Sequence, residues 1–150
     1  MSRTAVTEVN QEAPVVGASE IEIAAAPEAV WQVLTAIDQW PSWNPQVKSA
    51  SLQGGLEEGA EFRWKAGPGT IVSRLADVQP PHRIAWTGKS MGLKAIHVHT
   101  LEERNGGTLV KTEESYDGLV ARLFRGRLRK MLDSALRDGL QHLKTEAERR

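Results

Sequence analysis

The chain has 150 residues, 40% of them apolar, with 19 basic and 19 acidic side chains and no cysteine. This length and composition suit one compact domain with one core. The formal net charge of zero gives no global field toward nucleic acid or a membrane surface, and the lack of cysteine excludes disulfides, thiol nucleophiles and thiolate metal sites.

Residues 1–17 are polar, mixed and without period, and read as a disordered N-terminal tail, leaving 18–150 as a single domain. The N-terminus lacks the continuous apolar run of a signal peptide, and no stretch approaches the length of a transmembrane helix. A cytoplasmic protein with no membrane insertion is the expectation. "SEIEIAA" then alternates, with Ile21 and Ile23 on one face and Glu20 and Glu22 on the other, as in a half-buried strand. In "APEAVWQVLTAIDQW", Pro27 suits a first helical turn, and Val30, Val33, Leu34 and Ile37 form one apolar stripe. The stripe ends at Pro41, and "PSWNP" has room for one short turn.

From Val47 to Tyr116 the period changes to two. Six strands are expected, at about 46–53, 60–66, 70–79, 83–88, 93–103 and 108–117, separated by turn signals such as "AGPG", "QPPHR", "TGKSMG" and "NGG". The last 30 residues return to a helical period. Leu119, Leu123, Leu128, Met131, Leu132, Leu136, Leu140 and Leu143 lie on one broad stripe of a helix over 119–147, whose apolar face needs the sheet as partner. The order implies an α+β fold: a curved seven-stranded antiparallel sheet around a long C-terminal helix, with two short helices between the first two strands. A curved sheet cannot touch its helix everywhere, so a cavity between them follows, and such cavities bind ligands.

"IEIAAAPEAVWQVLTAIDQWPSWNP" resembles the opening of the START-like (SRPBCC) superfamily, the helix-grip fold, and is most similar to its polyketide cyclase/dehydrase-like branch. The residues that carry the likeness are Ala26-Pro27, Val30-Trp31, the segment from Trp40 to Pro45, His97, Gly106-Gly107-Thr108, Glu114 and Gly118. The chain departs from the pattern at His99, where similar members often carry an aromatic residue. The resemblance implies the helix-grip architecture over residues 19–147 and, for function, a range from lipid carriers to aromatase/cyclases and chaperone activators.

Parity selects the side chains that face the cavity. Leu93, Ala95, His97, His99 and Leu101 share a face, and the opposite face carries Lys94, Ile96, Val98, Thr100 and Glu102, with charges at both ends; the first is assigned inward and the second to solvent. On the last strand Val110, Thr112, Glu114 and Tyr116 point inward. A Gly106-Gly107 loop sets His99 opposite Glu114, whereas an Asn105-Gly106 loop sets His97 there; both registers keep the inward faces together. A carboxylate beside imidazole can raise the His pKa, and Glu114, His97 and His99 are candidate general acid and base groups. No further ligand accompanies them, so no metal is expected.

Trp64 and Trp86 point inward by the same alternation. Trp43 and Asn44 fall on the short turn at the open end of the grip, while Trp40 follows Ile37 by three residues and reads as core. With Thr112 and Tyr116, these residues are candidate ligand contacts. Arg74 reads as solvated. "RLFRGRLRK" places five basic residues near the start of the last helix; such a cluster can meet anionic lipid or RNA, but the zero net charge and the leucines committed to the sheet favour a solvated face, and "GKSMG" reads as a loop between strands beside the cavity.

Three functions fit. The first is binding of a hydrophobic or aromatic, polyketide- or lipid-like small molecule. The second is a cyclase/dehydratase-type lyase or isomerase, or an aldol-type enzyme, in which Glu114 or a histidine removes a proton α to a carbonyl. The third is a protein-interaction module such as a chaperone cofactor or toxin-like protein. None requires a cofactor or nucleic acid, and a monomer or homodimer is expected.

Overall fold

The computed structural model describes residues 7–150. The elements are β1 (Val15–Ile23), α1 (Pro27–Thr35), a 3-10 turn (Ile37–Gln39), α2 (Trp40–Trp43), β2 (Ser49–Leu52), β3 (Glu61–Lys65), β4 (Thr70–Gln79), β5 (Arg83–Ser90), β6 (Leu93–Arg104), β7 (Gly107–Asp117), α3 (Leu119–Leu123) and α4 (Arg125–Arg149). All strands join one antiparallel sheet in the order β1-β7-β6-β5-β4-β3-β2. This is the α+β helix-grip architecture expected from the pattern.

The β6–β7 turn decides between the two registers. Asn105 (φ 53°) and Gly106 (φ 80°) are the loop residues, and Arg104 pairs with Gly107. Positive φ at both central positions matches the right-handed twist of the flanking strands, which asparagine and glycine tolerate best. Along the ladder His97 therefore faces Glu114 and His99 faces Thr112. The β5–β6 connection is equally tight. Met91 and Gly92, both at positive φ, form a two-residue turn, so "GKSMG" is mostly strand rather than loop.

The core lies on the concave side of the sheet. Ile23, Val30, Phe62, Leu75, Ile84 and Val110 are each at most 2% exposed, and burying such a side chain stabilises by about 1.5–3 kcal/mol. Leu140 and Leu143 of α4 join this cluster, while Leu132 and Leu136 pack on Val15 of β1. The close approach of α4 to β1 depends on Gly17, where a Cβ would lie 3.0 Å from both Leu132 and Asp133. Helix α4 packs chiefly on β1 and next on α1, with a smaller contact to β7, and the middle strands curl away from it.

Four features depart from the sequence reading. The strand begins at Val15, inside the segment expected to be a tail; the part of that segment before residue 7 lies outside the described residues. Val9 is buried on the convex face against Ala85, Val98 and Ile96, so the face assigned to solvent is partly covered. The segment is tied down where Asn10 N donates to Ser115 Oγ (3.1 Å) and where Arg83 bridges Asp77 and the Thr7 carbonyl. The physical reason is that Ala85, Ile96 and Val98 expose apolar surface on that face, and eight residues of chain suffice to cover it. Strand β4 carries a bulge between Leu75 and Asp77, which reverses its alternation so that Val78 rejoins the core and Asp77 meets Arg83. Finally, the last helix breaks at Phe124 (φ −117°, ψ 32°) into α3 and α4, and Leu119 and Leu123 are exposed instead of packed on the sheet.

Candidate functional site

The gap between the sheet and α4 is a cavity of about 700 Å³. The nine residues singled out above all line it: Trp43, Asn44, Trp64, Trp86, His97, His99, Thr112, Glu114 and Tyr116. Each strand residue among them reaches it by alternation, and α2 brings Trp43 and Asn44 to it because Trp40 anchors that turn. The indole of Trp40 donates to the Leu34 carbonyl (2.9 Å), and its ring lies 5.4–5.6 Å from Phe62, Trp64 and Trp86. Trp40 is thus core, yet one edge also lines the cavity. Trp64 is held by its own indole N–H, which donates to Ser73 Oγ (3.0 Å). Arg74 points outward and donates to the Gly59 carbonyl.

The aromatic wall continues into the histidines. Trp86 lies 5.0 Å from His97 and 5.2 Å from His99 between ring centroids, and the two imidazoles are 4.4 Å apart. His97 Nε2 bonds Thr112 Oγ1 at 2.7 Å. Its Nδ1 lies 3.5 Å from Glu114 Oε1, without the alignment of a hydrogen bond. Three buried polar atoms have no hydrogen-bond partner among the described residues: His97 Nδ1, His99 Nδ1 and Trp43 Nε1.

Burial rather than charge pairing sets the protonation here, opposite to the expectation that Glu114 would raise a histidine pKa. Desolvation disfavours every charged form. It holds His97 well below its ordinary value, with the neighbouring His99 adding to the effect, and brings His99 down to about 3. It pushes Glu114 up to about 8. Tyr116 is also raised, first by burial and then by Glu114. At neutral pH the cluster is therefore a protonated carboxylic acid beside two neutral imidazoles. Among the described residues, no group of three His, Cys, Asp or Glu is placed to hold a metal ion.

The sequence reading missed the far wall. Leu128, Met131, Ala135 and Leu140 of α4 line the cavity, although all its apolar stripe was assigned to the sheet. The signal was present as the stripe's breadth, wider than a contact with one edge of the sheet requires. The lining reaches the surface at the β3–β4 turn (Ala66–Gly69), at Ser90 and Met91 of the β5–β6 turn, at Val120 of α3 and at the half-exposed Trp43 and Asn44, and there the cavity has its mouth.

A family model described as polyketide cyclase/dehydrase and lipid transport matches residues 15–148. The chain belongs to this family. Among solved structures, a hypothetical protein from Helicobacter pylori superposes with a TM-score of 0.82 at 14% identity, over 97% of this chain and 99% of its own. A START superfamily protein from Mycobacterium smegmatis gives 0.70 at 14% identity, over 89% and 97% of the two chains. The di-domain ARO/CYC StfQ from the steffimycin biosynthetic pathway gives 0.75 at 16% identity, this chain covering 52% of it and being covered over 91%. At these identities the likeness is one of fold. A search of curated proteins gives no match. No helix among the described residues is long and apolar enough to cross a membrane.

Proposed function

We propose that this polyketide cyclase/dehydrase family member binds a neutral, flat or elongated apolar molecule in the cavity, with a carbonyl or hydroxyl of the ligand set against the His97–His99–Trp43 nitrogens. The observation that carries the reading is the pairing of a largely apolar cavity of about 700 Å³ with three buried, unpartnered polar atoms on its lining. A buried polar atom left unpaired costs about 1–3 kcal/mol, so a ligand oxygen that meets one gains both affinity and orientation. The uncharged state of Glu114 and the histidines favours a neutral group at that cluster, because an anion there would lose its hydration without an adjacent cation; the cation on the lining, Lys89, is solvent-exposed. The protein is read as cytoplasmic, without cofactor, and as a monomer or homodimer.

The test is tryptophan fluorescence titration with matched pairs: a polycyclic phenol against its sulfonate, and a long-chain alcohol against the carboxylate. Neutral members should quench and bind at least about tenfold more tightly. A flat response to both members of every pair overturns the reading. Native mass spectrometry of the freshly purified chain, retaining a neutral apolar molecule, would identify its chemical class.

A second reading, enzymatic, is favoured by the contact of Glu114 with His97 Nδ1 at 3.5 Å. In the tautomer that donates Nε2–H to Thr112 Oγ1, Nδ1 is a free base. It takes the proton α to a ligand carbonyl while the Glu114 carboxyl proton moves to the carbonyl oxygen. The C–H pair becomes the double bond of an enol, and the pair is left as imidazolium and carboxylate. In a β-hydroxy substrate the enol proton returns to Glu114 and the departing hydroxide takes the His97 proton, so water is lost and both groups are reset. Because Glu114 must begin protonated, turnover of a β-hydroxy ketone should fall above about pH 8. A rate that instead climbs through that pH removes Glu114 as the acid.

A further inference from the structure

Five large apolar side chains among the described residues are strongly exposed: Met91 (67%), Leu119 (71%), Leu123 (66%), Phe124 (53%) and Met131 (59%). They gather at one end of the molecule. Leu119 and Leu123, four apart, share a face of α3, and Phe124 is the elbow where α3 meets α4. Met91 tips the β5–β6 turn, which abuts α3 so closely that a Cβ on Gly118 would lie 2.5 Å from the Gly92 carbonyl oxygen. Met91 and Met131 also line the cavity, so the apolar patch adjoins its mouth. A cluster of exposed large apolar side chains of this kind marks a contact site.

Charge on the same segment indicates what makes the contact. Between Asp117 and Asp133 there are five basic residues, Arg122, Arg125, Arg127, Arg129 and Lys130, and no acidic one, in a chain whose net charge is zero. Of the five, Arg129 pairs with Asp133 at 3.4 Å and Arg122 and Arg125 line a small pocket shared with Glu12 and Asp117, which leaves Arg127 and Lys130 as the free cations among the described residues. Apolar side chains standing out from a helical elbow, interleaved with free cations, match a bilayer interface: the apolar tips enter the headgroup–acyl boundary and the cations meet anionic headgroups. A protein partner would need a pocket for each projecting tip, whereas a lipid surface accepts them all.

We propose that the α3–α4 elbow and the Met91 turn dock on the surface of an anionic lipid bilayer, setting the cavity mouth against it. The docking rests on this surface alone. Its consequence, that an apolar ligand enters the cavity from the bilayer without crossing water, rests in addition on the ligand reading above. Contact is at headgroup depth, by side chains and not by a spanning helix.

The test is flotation of the full chain with vesicles of phosphatidylcholine alone and with added phosphatidylglycerol. Binding to the anionic vesicles should be at least about tenfold tighter and should weaken in high salt. The double substitution Arg127→Gln/Lys130→Gln should lose about fivefold per charge, and the triple substitution Leu119→Ser/Leu123→Ser/Phe124→Ser at least about tenfold. None of these five residues lines the cavity, so fluorescence titration with the polycyclic phenol should stay at the parent value. No flotation with anionic vesicles, or a triple variant that floats like the parent, overturns the proposal; capture of an acidic protein through this face without vesicle binding overturns it too. Flotation that persists when no ligand quenches the tryptophans would refute the ligand reading and leave the docking standing.

Discussion

Replacing Glu114 by glutamine should change how stability depends on pH more than it changes stability itself. Glu114 titrates near 4.5 when unfolded and at about 8 when buried. Below about pH 4.5 both states hold the proton, and the group's favourable contribution is fully present. Between about 4.5 and 8 the unfolded chain releases the proton and the folded chain keeps it, so each pH unit costs the folded state about 1.4 kcal/mol. Above about 8 the loss is complete, with a ceiling of about 5 kcal/mol over the whole span. The histidines act in the opposite direction. Both are depressed below 6.5, His99 to about 3, so their contribution is present above 6.5 and is lost as the pH falls. The parent should therefore be most stable near pH 6.5. Glutamine fills the same volume and does not titrate, and the histidine terms cancel in the difference between the two proteins. Urea unfolding of both, from pH 5 to pH 9, should give a difference that moves in favour of the variant by about 1.4 kcal/mol per pH unit up to pH 8 and then levels off. A difference that stays constant across the range would show that Glu114 is not desolvated as argued.

Trp40→Ala should destabilise by about 3–5 kcal/mol in urea unfolding, because it empties the centre of the aromatic cluster and removes the bond to the Leu34 carbonyl. Trp43→Ala, at a half-buried site, should cost less than half as much yet weaken ligand quenching; equal stability losses with unchanged binding would contradict that division. Val9→Asp should lower stability by about 2 kcal/mol or more, since it sets a carboxylate against Ala85 and Val98, and an unchanged melting curve would show that the N-terminal segment is not part of the folded unit. Gly118→Ala should destabilise by at least about 2 kcal/mol, because φ is 108° and the new Cβ would collide with the Gly92 carbonyl, whereas Gly126→Ala, with open space around it, should be neutral or mildly stabilising by thermal melting.

Much of the candidate site was legible because it rests on strands. A period of two, with charges on Lys111 and Glu113, is enough to turn Glu114, Thr112 and Tyr116 inward, and the same argument turns His97 and His99 to meet them. The register was left between two values, since Asn-Gly and Gly-Gly both suit a tight turn; pairing of Arg104 with Gly107 decided it. The protonation of the cluster was not legible. Pairing and burial act in opposite directions on an imidazole, and the winner depends on how completely the cavity excludes water.

Local pattern, then, determined the elements, their order and the inward faces, because alternation, helical stripes and turn chemistry are properties of neighbouring residues. Tertiary structure alone decided where distant segments meet. Val9 covers Ala85 and Val98, the β4 bulge sends Asp77 to Arg83, and most of the α4 stripe lines a cavity as well as packing on the fold. The break at Phe124 belongs with these. Leucines at helical spacing demand an apolar partner, but only the path of α4 along β1 and α1, and the break that sets α3 apart from it, determine that Leu119 and Leu123 find none inside the fold and stand exposed beside Val120.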